Sequence, residues 1–433
     1  MSFQSVKGFR DYYPDVMALR NYICEAWRRV SLRNGFVEYD GPIMEYLDLY
    51  RVKSGDEIVS QLFSMTDRGG RELAIRPEIT PTLARMINAK VNTLPRPIKW
   101  FSIPRLCRAE NPQKGRLREF FQWNVDVVGS DDSLADAECI FTLIDLLAEV
   151  NLAPSDAMVS LSSRSLLIAA MQAIGVPEEK YSELLVILDK RAKIPNEAFE
   201  EMCVKAGLTR EQIGGIARFQ DSASLEEAAR QIAPSETVQP EIDKLQRVID
   251  HLGCMGAAEY CRLDLHVVRG LAYYTGVVYE AFDAGASLRA LAGGGRYDNL
   301  LEVLGGPKLG ATGFGMGDVV LGILLTEKGK APNCADRCDV YVIGAKEEVD
   351  QAVLGVVADL RRADVRAAFS YNRRQAIGKQ LKAANDRGAG RAVIVGDEFL
   401  ASQQVVVKDL ASGDQRVVNR ADLVTELKRE LGR

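Results

Sequence analysis

The hydrophobic positions of the chain recur with two different periods, which predict both helices and strands. Between residues 16 and 34, apolar side chains recur every three or four positions, which predicts an amphipathic helix ending at Gly35. Between residues 105 and 127, polar and apolar side chains alternate on both sides of an interruption at Asn111-Pro112. We therefore predict two half-buried strands joined by a loop, as in a hairpin.

The predicted hairpin collects side chains that suit a binding site. Arg108 and Glu110 are two residues apart and would share one face of the first strand. One face of the second strand carries Phe120, Gln122, Asn124 and Asp126, and the loop carries Lys114, Arg116 and Arg118. Such a set could hold a phosphate, a polar small molecule and the end of a nucleic acid. The alternative is an ordinary half-buried strand pair with a solvated basic loop.

Two other stretches carry candidate chemistry. Thr80, followed by Pro81, is predicted to be the N-cap of a helix, and Glu78 lies just before it. Glu78 either faces a cation in a pocket or complements the positive end of the helix. The glycine-rich strand that begins at residue 311 leads into an apolar helix, and its bare face suits either a flat ligand or close packing.

The remaining pattern predicts several regions. Residues 155–253 read as mostly helical, and strands resume at residues 260–268 and 277–282. After a linker near residue 330, strands and helices alternate, which predicts a small α/β domain. Within it, residues 373–388 are predicted to form a basic helix, because one acid, Asp386, stands among these cations: Arg373, Arg374, Lys379, Lys382, Arg387 and Arg391.

The amino-acid composition limits the kinds of catalytic and metal-binding site that the chain can form. The net charge is −5, so the molecule as a whole is not a strong polyanion binder. The two histidines, His251 and His266, lack plausible catalytic or metal-binding partners nearby in sequence, and the eight cysteines form no C-x-x-C pair. We therefore expect no protein-bound zinc or other metal site, and catalysis by positioning and charge stabilisation.

The N-terminal residues and the lengths of the apolar runs indicate the cellular compartment of the protein. The first residues contain no apolar segment typical of a secretory signal, and no apolar run approaches the ~20 residues of a membrane span. Together with the scattered cysteines, this predicts a protein of the reduced cytoplasm that does not bind membranes.

Several motifs in a fixed order resemble those of the histidyl-tRNA synthetases, a family of class II aminoacyl-tRNA synthetases, over nearly the whole chain. They are K-G-F-R-D-Y-Y-P, R-P-E-I-T, R-A-E-N-P-Q-K-G-R-L-R-E-F-F-Q, R-G-L-A-Y-Y-T-G and G-G-G-R-Y-D. The resemblance implies an α+β fold: an antiparallel sheet flanked by helices, a helical insertion, and a C-terminal α/β anticodon-binding-like domain. It divides the chain into a catalytic domain (1–327, insertion about 155–255), a linker (328–337) and the terminal domain (338–433).

The resemblance also implies roles for single residues. Arg108 and Arg269 would be catalytic, holding the α-phosphate of ATP. Contacts to histidine would come from Glu78, Thr80, Arg108, Gln122, Asp126, Arg269, Tyr273 and Tyr274. Contacts to ATP would come from Arg108, Glu110 and Phe120, and contacts to tRNA from Lys114, Arg116, Arg373 and Arg374. The implied partners are ATP with Mg²⁺, histidine, tRNA(His) and a second copy of the chain, with Pro42 at the dimer interface.

Two positions depart from the family pattern. Val320 stands where the family normally has an arginine over ATP, and Ala272 stands where it has an aspartate. Asp318, near a helix N-terminus, would repel phosphate. A working synthetase of a variant branch is one explanation. The other is a catalytically inactive paralogue that serves as a histidine-sensing or tRNA-sensing regulatory subunit. The complete hairpin motif and the terminal α/β domain favour the enzyme.

Overall fold

The computed structural model describes residues 3–54, 62–191, 194–232, 236–268, 274–332, 338–372 and 374–432. The chain divides into two compact units, which are described separately. The first consists of residues 1–11 and 20–331, and the second of residues 12–19 and 332–433. None of the helices within the described ranges is long and apolar enough to cross a bilayer.

The first part of the chain alternates short strands with helices. Its elements are α1 (Pro14–Arg33), β1 (Val37–Glu38), β2 (Met44–Tyr46), α2 (Asp48–Ser54), β3 (Ser64–Thr66), β4 (Glu72–Ile75), α3 (Thr80–Lys90), β5 (Ile98–Ser102), β6 (Arg105–Cys107), β7 (Glu119–Val128), α4 (Ser133–Glu149) and β8 (Ala157–Ser163). The first helix was predicted, and it ends just before Gly35, whose φ of 77° suits a helix-terminating glycine.

Helices follow, and the chain then returns to strands. The helices are α5 (Arg164–Ala173), α6 (Tyr181–Leu188), α7 (Asn196–Lys205), α8 (Arg210–Gln220), α9 (Leu225–Gln231) and α10 (Val238–Cys254). The returning elements are β9 (Cys261–Leu263), β10 (Val277–Asp283), β11 (Ala292–Arg296), α11 (Leu300–Val303), β12 (Ala311–Gly317) and α12 (Asp318–Glu327).

The described part of the first unit is built on a sheet of nine strands. Eight follow the order β1-β5-β7-β12-β11-β10-β8-β9, and β6 pairs with β7 as the second arm of the predicted hairpin. All neighbours in this sheet are antiparallel except β1 with β5 and β8 with β9. A separate small sheet has the order β2-β4-β3.

Two secondary-structure expectations for this unit are wrong in part. Residues 157–163 were expected to be helical, but they form β8, which pairs along its length with β10. The predicted strand at residues 260–268 ends at Leu263. Beyond it, the Asp264 side chain accepts the His266 backbone N–H at 3.2 Å, and Val267 N–H donates to Asp264 O at 3.1 Å. This local turn competes with strand pairing.

The alternation along β7 separates a core face from a site face. Trp123 stacks on Trp27 of α1, with ring centroids 6.2 Å apart, and meets the edge of Phe314 at 4.9 Å. Its indole N–H donates to Ser31 Oγ at 2.8 Å. These buried contacts bring α1 and β12 onto the core face of β7, which leaves Gln122, Asn124 and Asp126 on the other face.

A buried carboxylate joins three segments of this unit. Asp318, the first residue of α12, accepts the Arg10 guanidinium at 2.7 Å and the Phe121 backbone N–H at 2.9 Å. Its side chain is 3% exposed. Burial raises the pKa of Asp318, and the neighbouring Arg10 opposes that rise. Asp318 is therefore not a bare anion facing a phosphate, as the sequence suggested, because Arg10 balances its charge.

The second unit contains a five-stranded sheet within its described residues, of order β14-β13-β15-β16-β17. Its elements are β13 (Val340–Gly344), α13 (Asp350–Arg362), β14 (Ala367–Phe369), α14 (Ile377–Asp386), β15 (Arg391–Val395), α15 (Asp397–Ser402), β16 (Gln404–Asp409), β17 (Gln415–Asn419) and α16 (Leu423–Glu430). The basic helix begins at Ile377, later than predicted, and α15 was not predicted.

We predict that Asp318→Ala destabilises the first unit by about 3 kcal/mol, because it leaves the buried Phe121 N–H unpaired and removes the carboxylate partner of Arg10. Urea unfolding followed by tryptophan fluorescence is the appropriate measurement, since Trp27, Trp100 and Trp123 all lie in this unit. Asp48→Ala is the control: it removes the exposed Asp48–Arg51 pair and should leave the unfolding midpoint close to that of wild type. Equal unfolding midpoints for Asp318→Ala and wild type would contradict the prediction.

Candidate active site

The hairpin forms as predicted, with a shorter first strand. Strand β6 ends at Cys107, so Arg108 and Glu110 follow the strand instead of sharing its face. One further backbone bond, from Arg108 N to Arg118 O at 2.8 Å, continues the pairing. The loop turns at Gly115, whose φ of 78° is a conformation that favours glycine.

Arg108 is held at the base of this loop. Its Nε donates to Pro77 O at 3.0 Å, and its guanidinium carbon lies 5.1 Å from the centroid of the Phe120 ring. Phe120 is buried, so its ring supports the guanidinium from the neighbouring strand. The structure thus brings Arg108 and Phe120 together.

Glu78 and Thr80 lie next to the carbonyl group that holds Arg108. Both are partly exposed, and they follow Pro77 at the start of α3. The N-cap expectation for Thr80 is wrong: Ile79 occupies that position and no side chain caps the helix. Pro81 occupies the first turn, where its missing N–H costs nothing. The Thr80 hydroxyl is thus not committed to a helix cap.

A buried carboxylate lies deeper on the same face of β7. Asp126 is 3% exposed, and the Tyr297 hydroxyl donates to its Oδ1. Burial, and then the charge of Asp126, raise the pKa of Tyr297 well above its usual range. Tyr39 and Tyr274 belong to the same buried cluster as Tyr297. Asp126 thus presents an acceptor carboxylate beside the Tyr297 phenol, and such a pair suits a ligand carrying both a donor and an acceptor nitrogen.

Glycines opposite β7 make room for these polar side chains. A Cβ atom on Gly313 would lie 2.3 Å from Asp126 Oδ1, and one on Gly315 would lie 2.8 Å from Gln122 Nε2. At these two positions, the face left bare by glycine is thus filled by side chains of the neighbouring strand. A Cβ atom on Gly317, by contrast, would meet nothing within 4 Å.

Several cations of the loop already have partners. Arg116 forms an ion pair with Glu110, so the predicted tRNA contact and the predicted ATP contact meet each other. Lys114 Nζ lies 3.5 Å from Glu327 at the end of α12. Arg118 Nε donates to Glu110 O at 2.9 Å. The contacts of Arg116 and Arg118 hold the loop to its own base, whereas the exposed Lys114–Glu327 pair constrains it little.

Three predicted site residues, Arg269, Tyr273 and Arg373, lie outside the described residues, as does Ala272. Arg374 is exposed in the second unit and lies 3.6 Å from Glu347. In the ranges that the structure describes, no group of three or more histidine, cysteine or acidic side chains could hold a metal ion.

Tyr297 was not predicted as a site residue. The segment Gly293–Asp298 contributed to the sequence-based predictions only as the G-G-G-R-Y-D motif of the family resemblance, with no role for its tyrosine. The only local signal is the position of Tyr297 two residues after the glycine run, which ends at Gly295. Its partner Asp126 is 171 residues away, so only the pairing of β7, β12 and β11 brings the two together.

Comparison with known proteins agrees with this architecture. A family model described as histidyl-tRNA synthetase matches residues 8–317, and one described as anticodon binding domain matches residues 339–430. A histidine–tRNA ligase of Opitutus terrae is 42% identical over 424 residues, covering 97% of this chain and 96% of the relative. That of Thermoplasma volcanium is 36% identical over 430 residues, covering 99% of each chain.

The fold is also found among solved structures. The histidyl-tRNA synthetase of Nostoc sp. PCC 7120 superposes with a TM-score of 0.86 at 26% identity, covering 99% of this chain and 100% of that one. The predicted α+β class is thereby confirmed. With the family model matching well over half of its length, this chain belongs to the histidyl-tRNA synthetase family.

Proposed function

We propose that the chain is a histidine–tRNA ligase of the cytoplasm. It activates histidine with ATP to form histidyl-adenylate and pyrophosphate, and it then transfers histidine to the terminal ribose of tRNA(His). The observation that carries the proposal is the arrangement along β7. Arg108, a type of side chain that binds phosphate, lies at the base of the loop that leads into β7, and the buried carboxylate of Asp126, with its phenol partner Tyr297, lies further along β7.

Activation requires charge stabilisation at the α-phosphate. Attack by the carboxylate of histidine builds negative charge on the non-bridging oxygens of phosphorus, and Arg108 is fixed to answer it. We assign Arg269 as the second guanidinium on this phosphate. No general base is needed, because the attacking carboxylate is already ionised.

Histidine is recognised at both ends. The Asp126 carboxylate accepts a ring N–H of the imidazole, and Tyr274, with Tyr273 beside it, serves the other ring nitrogen. Glu78, Thr80 and Gln122 hold the ammonium group, and Arg108 and Arg269 the carboxylate. Discrimination is strong at such a site, since a wrong side chain leaves buried polar groups unpaired.

ATP enters as its Mg²⁺ complex. We assign Glu110 to the adenine side and Phe120 to stacking with the base, and Arg108 spans the two substrates. Glu110 would exchange its present partner, Arg116, for the nucleotide, and this would free Arg116 for tRNA.

The tRNA is bound by two regions. We assign Lys114 and Arg116 to its acceptor end, and Arg373 and Arg374 to the anticodon region. In this assignment residues 1–327 are the catalytic domain, with the helical insertion at about 155–255. Residues 328–337 are the linker, and 338–433 form the anticodon-binding domain. The division into compact units near residue 331 supports it.

A second copy of the chain completes the enzyme. Pro42 is exposed and lies between β1 and β2, and exposed apolar side chains surround it in sequence: Leu32, Val37, Ile43 and Tyr46. Strand β1 is the edge strand of the large sheet. An apolar edge of this kind supports a homodimer interface.

Charging of tRNA tests the proposed function directly. Purified protein should attach histidine, and none of the other amino acids, to tRNA(His) in the presence of ATP and Mg²⁺. The regulatory alternative predicts histidine or tRNA binding with no charged product, and that result would overturn the proposal.

Arg108→Ala should slow adenylate formation by about 30- to 150-fold, which corresponds to ~2–3 kcal/mol of lost stabilisation at the α-phosphate. Single-turnover formation of adenylate is the measurement. Arg105→Ala is the matched control, because its guanidinium lies 4.9 Å from the Phe121 ring and 3.4 Å from Glu119, on the opposite face of the hairpin. Equal rates for Arg108→Ala and wild type would refute the role of Arg108.

Asp126→Asn should raise the KM for histidine by about thirty-fold, or ~2 kcal/mol, because a charge-assisted hydrogen bond to the imidazole is lost. The KM for ATP should stay within about twofold of wild type. Asp145→Asn, which alters a surface pair with Arg33, is the control and should leave both constants unchanged. A parallel rise in both KM values would indicate general disruption of the site instead of lost recognition.

A further inference from the structure

Two side chains from different elements converge on the tip of the hairpin loop. A Cβ atom on Gly115 would lie 3.4 Å from Val320 Cγ2 and 3.9 Å from Arg289 Cδ. Val320 is buried in the first turn of α12, whereas Arg289 is exposed on the connection between β10 and β11. The position where the family resemblance places an arginine is therefore apolar, but an arginine from another segment reaches the same part of the loop.

Arg289 has no anionic partner among the described residues. Its hydrogen-bond partner is neutral: Nη1 donates to Gln113 Oε1, on the hairpin loop, at 3.5 Å. The loop cations around it differ, since Arg116 pairs with Glu110 and Lys114 approaches Glu327. A guanidinium that lies beside the hairpin loop and has only an amide for a partner is more available to an incoming anion than the paired loop cations.

The segment that carries Arg289 is held by a buried side chain. Asp283 accepts the backbone N–H groups of Ser287 and Leu288, at 3.0 and 2.9 Å, and also the Ser287 hydroxyl at 2.9 Å. Leu291 N–H donates to Ala281 O at 2.7 Å and returns the chain to β11. These bonds fix the backbone on both sides of Arg289, so its Cα position is set before any ligand binds.

We propose that Arg289 binds the outer phosphates of ATP and supplies the positive charge that Val320 lacks. This inference rests on the proposed function. Arg108 lies at the base of the loop and Arg289 at its tip, so a triphosphate whose α-phosphate meets Arg108 would extend its other phosphates along the loop. The planar guanidinium can donate two parallel hydrogen bonds to phosphate oxygens, a geometry that lysine does not reproduce.

The test is histidine-dependent ATP–pyrophosphate exchange, measured without tRNA. Arg289→Ala should raise the KM for ATP by about ten-fold and leave the KM for histidine within about twofold of wild type. Arg289→Lys keeps the charge but loses the planar guanidinium. Its KM for ATP should lie between those of wild type and Arg289→Ala. Arg262→Ala is the control, because it removes an exposed arginine on β9, the last strand of the sheet, that lies near Asp264.

Competition by AMP identifies the phosphates involved. AMP lacks the outer phosphates. Arg289→Ala should therefore weaken the binding of ATP and leave the inhibition constant of AMP unchanged. A KM for ATP equal to that of wild type would overturn the inference. So would a defect that appears only as a raised KM for tRNA in charging assays, because Arg289 would then serve the nucleic acid. Absence of exchange in the wild-type protein would instead overturn the proposed function, so the two failures are distinguishable.

Discussion

The buried carboxylate of Asp318 constrains the whole site. A carboxylate out of contact with water is costly unless it is paired and hydrogen-bonded, and Asp318 meets both conditions through segments distant in sequence. Arg10 of the N-terminal segment and the Phe121 N–H of the second arm of the hairpin both donate to the Asp318 carboxylate. The start of α12 is therefore fixed against β7, and with it the position of Val320 under the loop. The sequence suggested that Asp318 would repel phosphate, but its side chain instead links the N-terminal segment, β7 and α12.

The second constraint is that β7 packs one face into the core and turns the other toward the site. Its apolar side chains, Trp123 foremost, enter the core with α1 and β12, so the alternating side chains must face the site. Glycines at 313 and 315 then leave room for Asp126 and Gln122 across the sheet. Packing and recognition thus depend on the same strand, and a shift of register by one residue would exchange the two faces.

Features whose signals are local in sequence could be predicted. A hydrophobic period or a set of turn residues is enough to predict three elements: the hairpin, α1 and the glycine-rich strand that leads into α12. Part of strand β8 also alternates, since Val159 and Leu161 are each followed by a serine, but its position beside a long helical stretch obscured this pattern. The Asp264 turn was missed because a side chain, not the period, ended the strand.

Long-range partners could not be predicted. Nothing in the sequence pairs Arg10 with Asp318, 308 residues away, because both residues are ordinary in their own segments. The same holds for Tyr297 beside Asp126 and for Arg289 beside the hairpin loop. Each depends on strand order, which the order of segments along the chain does not specify. The family resemblance implied a role for Asp126, but it did not show which residues surround that side chain.

We propose that this site activates histidine although the position of the family's usual arginine over ATP is apolar. The most direct measurement is ATP–pyrophosphate exchange by the wild-type protein, with each amino acid in turn. Exchange with histidine alone is the predicted result. Tight histidine binding without exchange would contradict the claim, and it would indicate a protein that senses histidine without activating it.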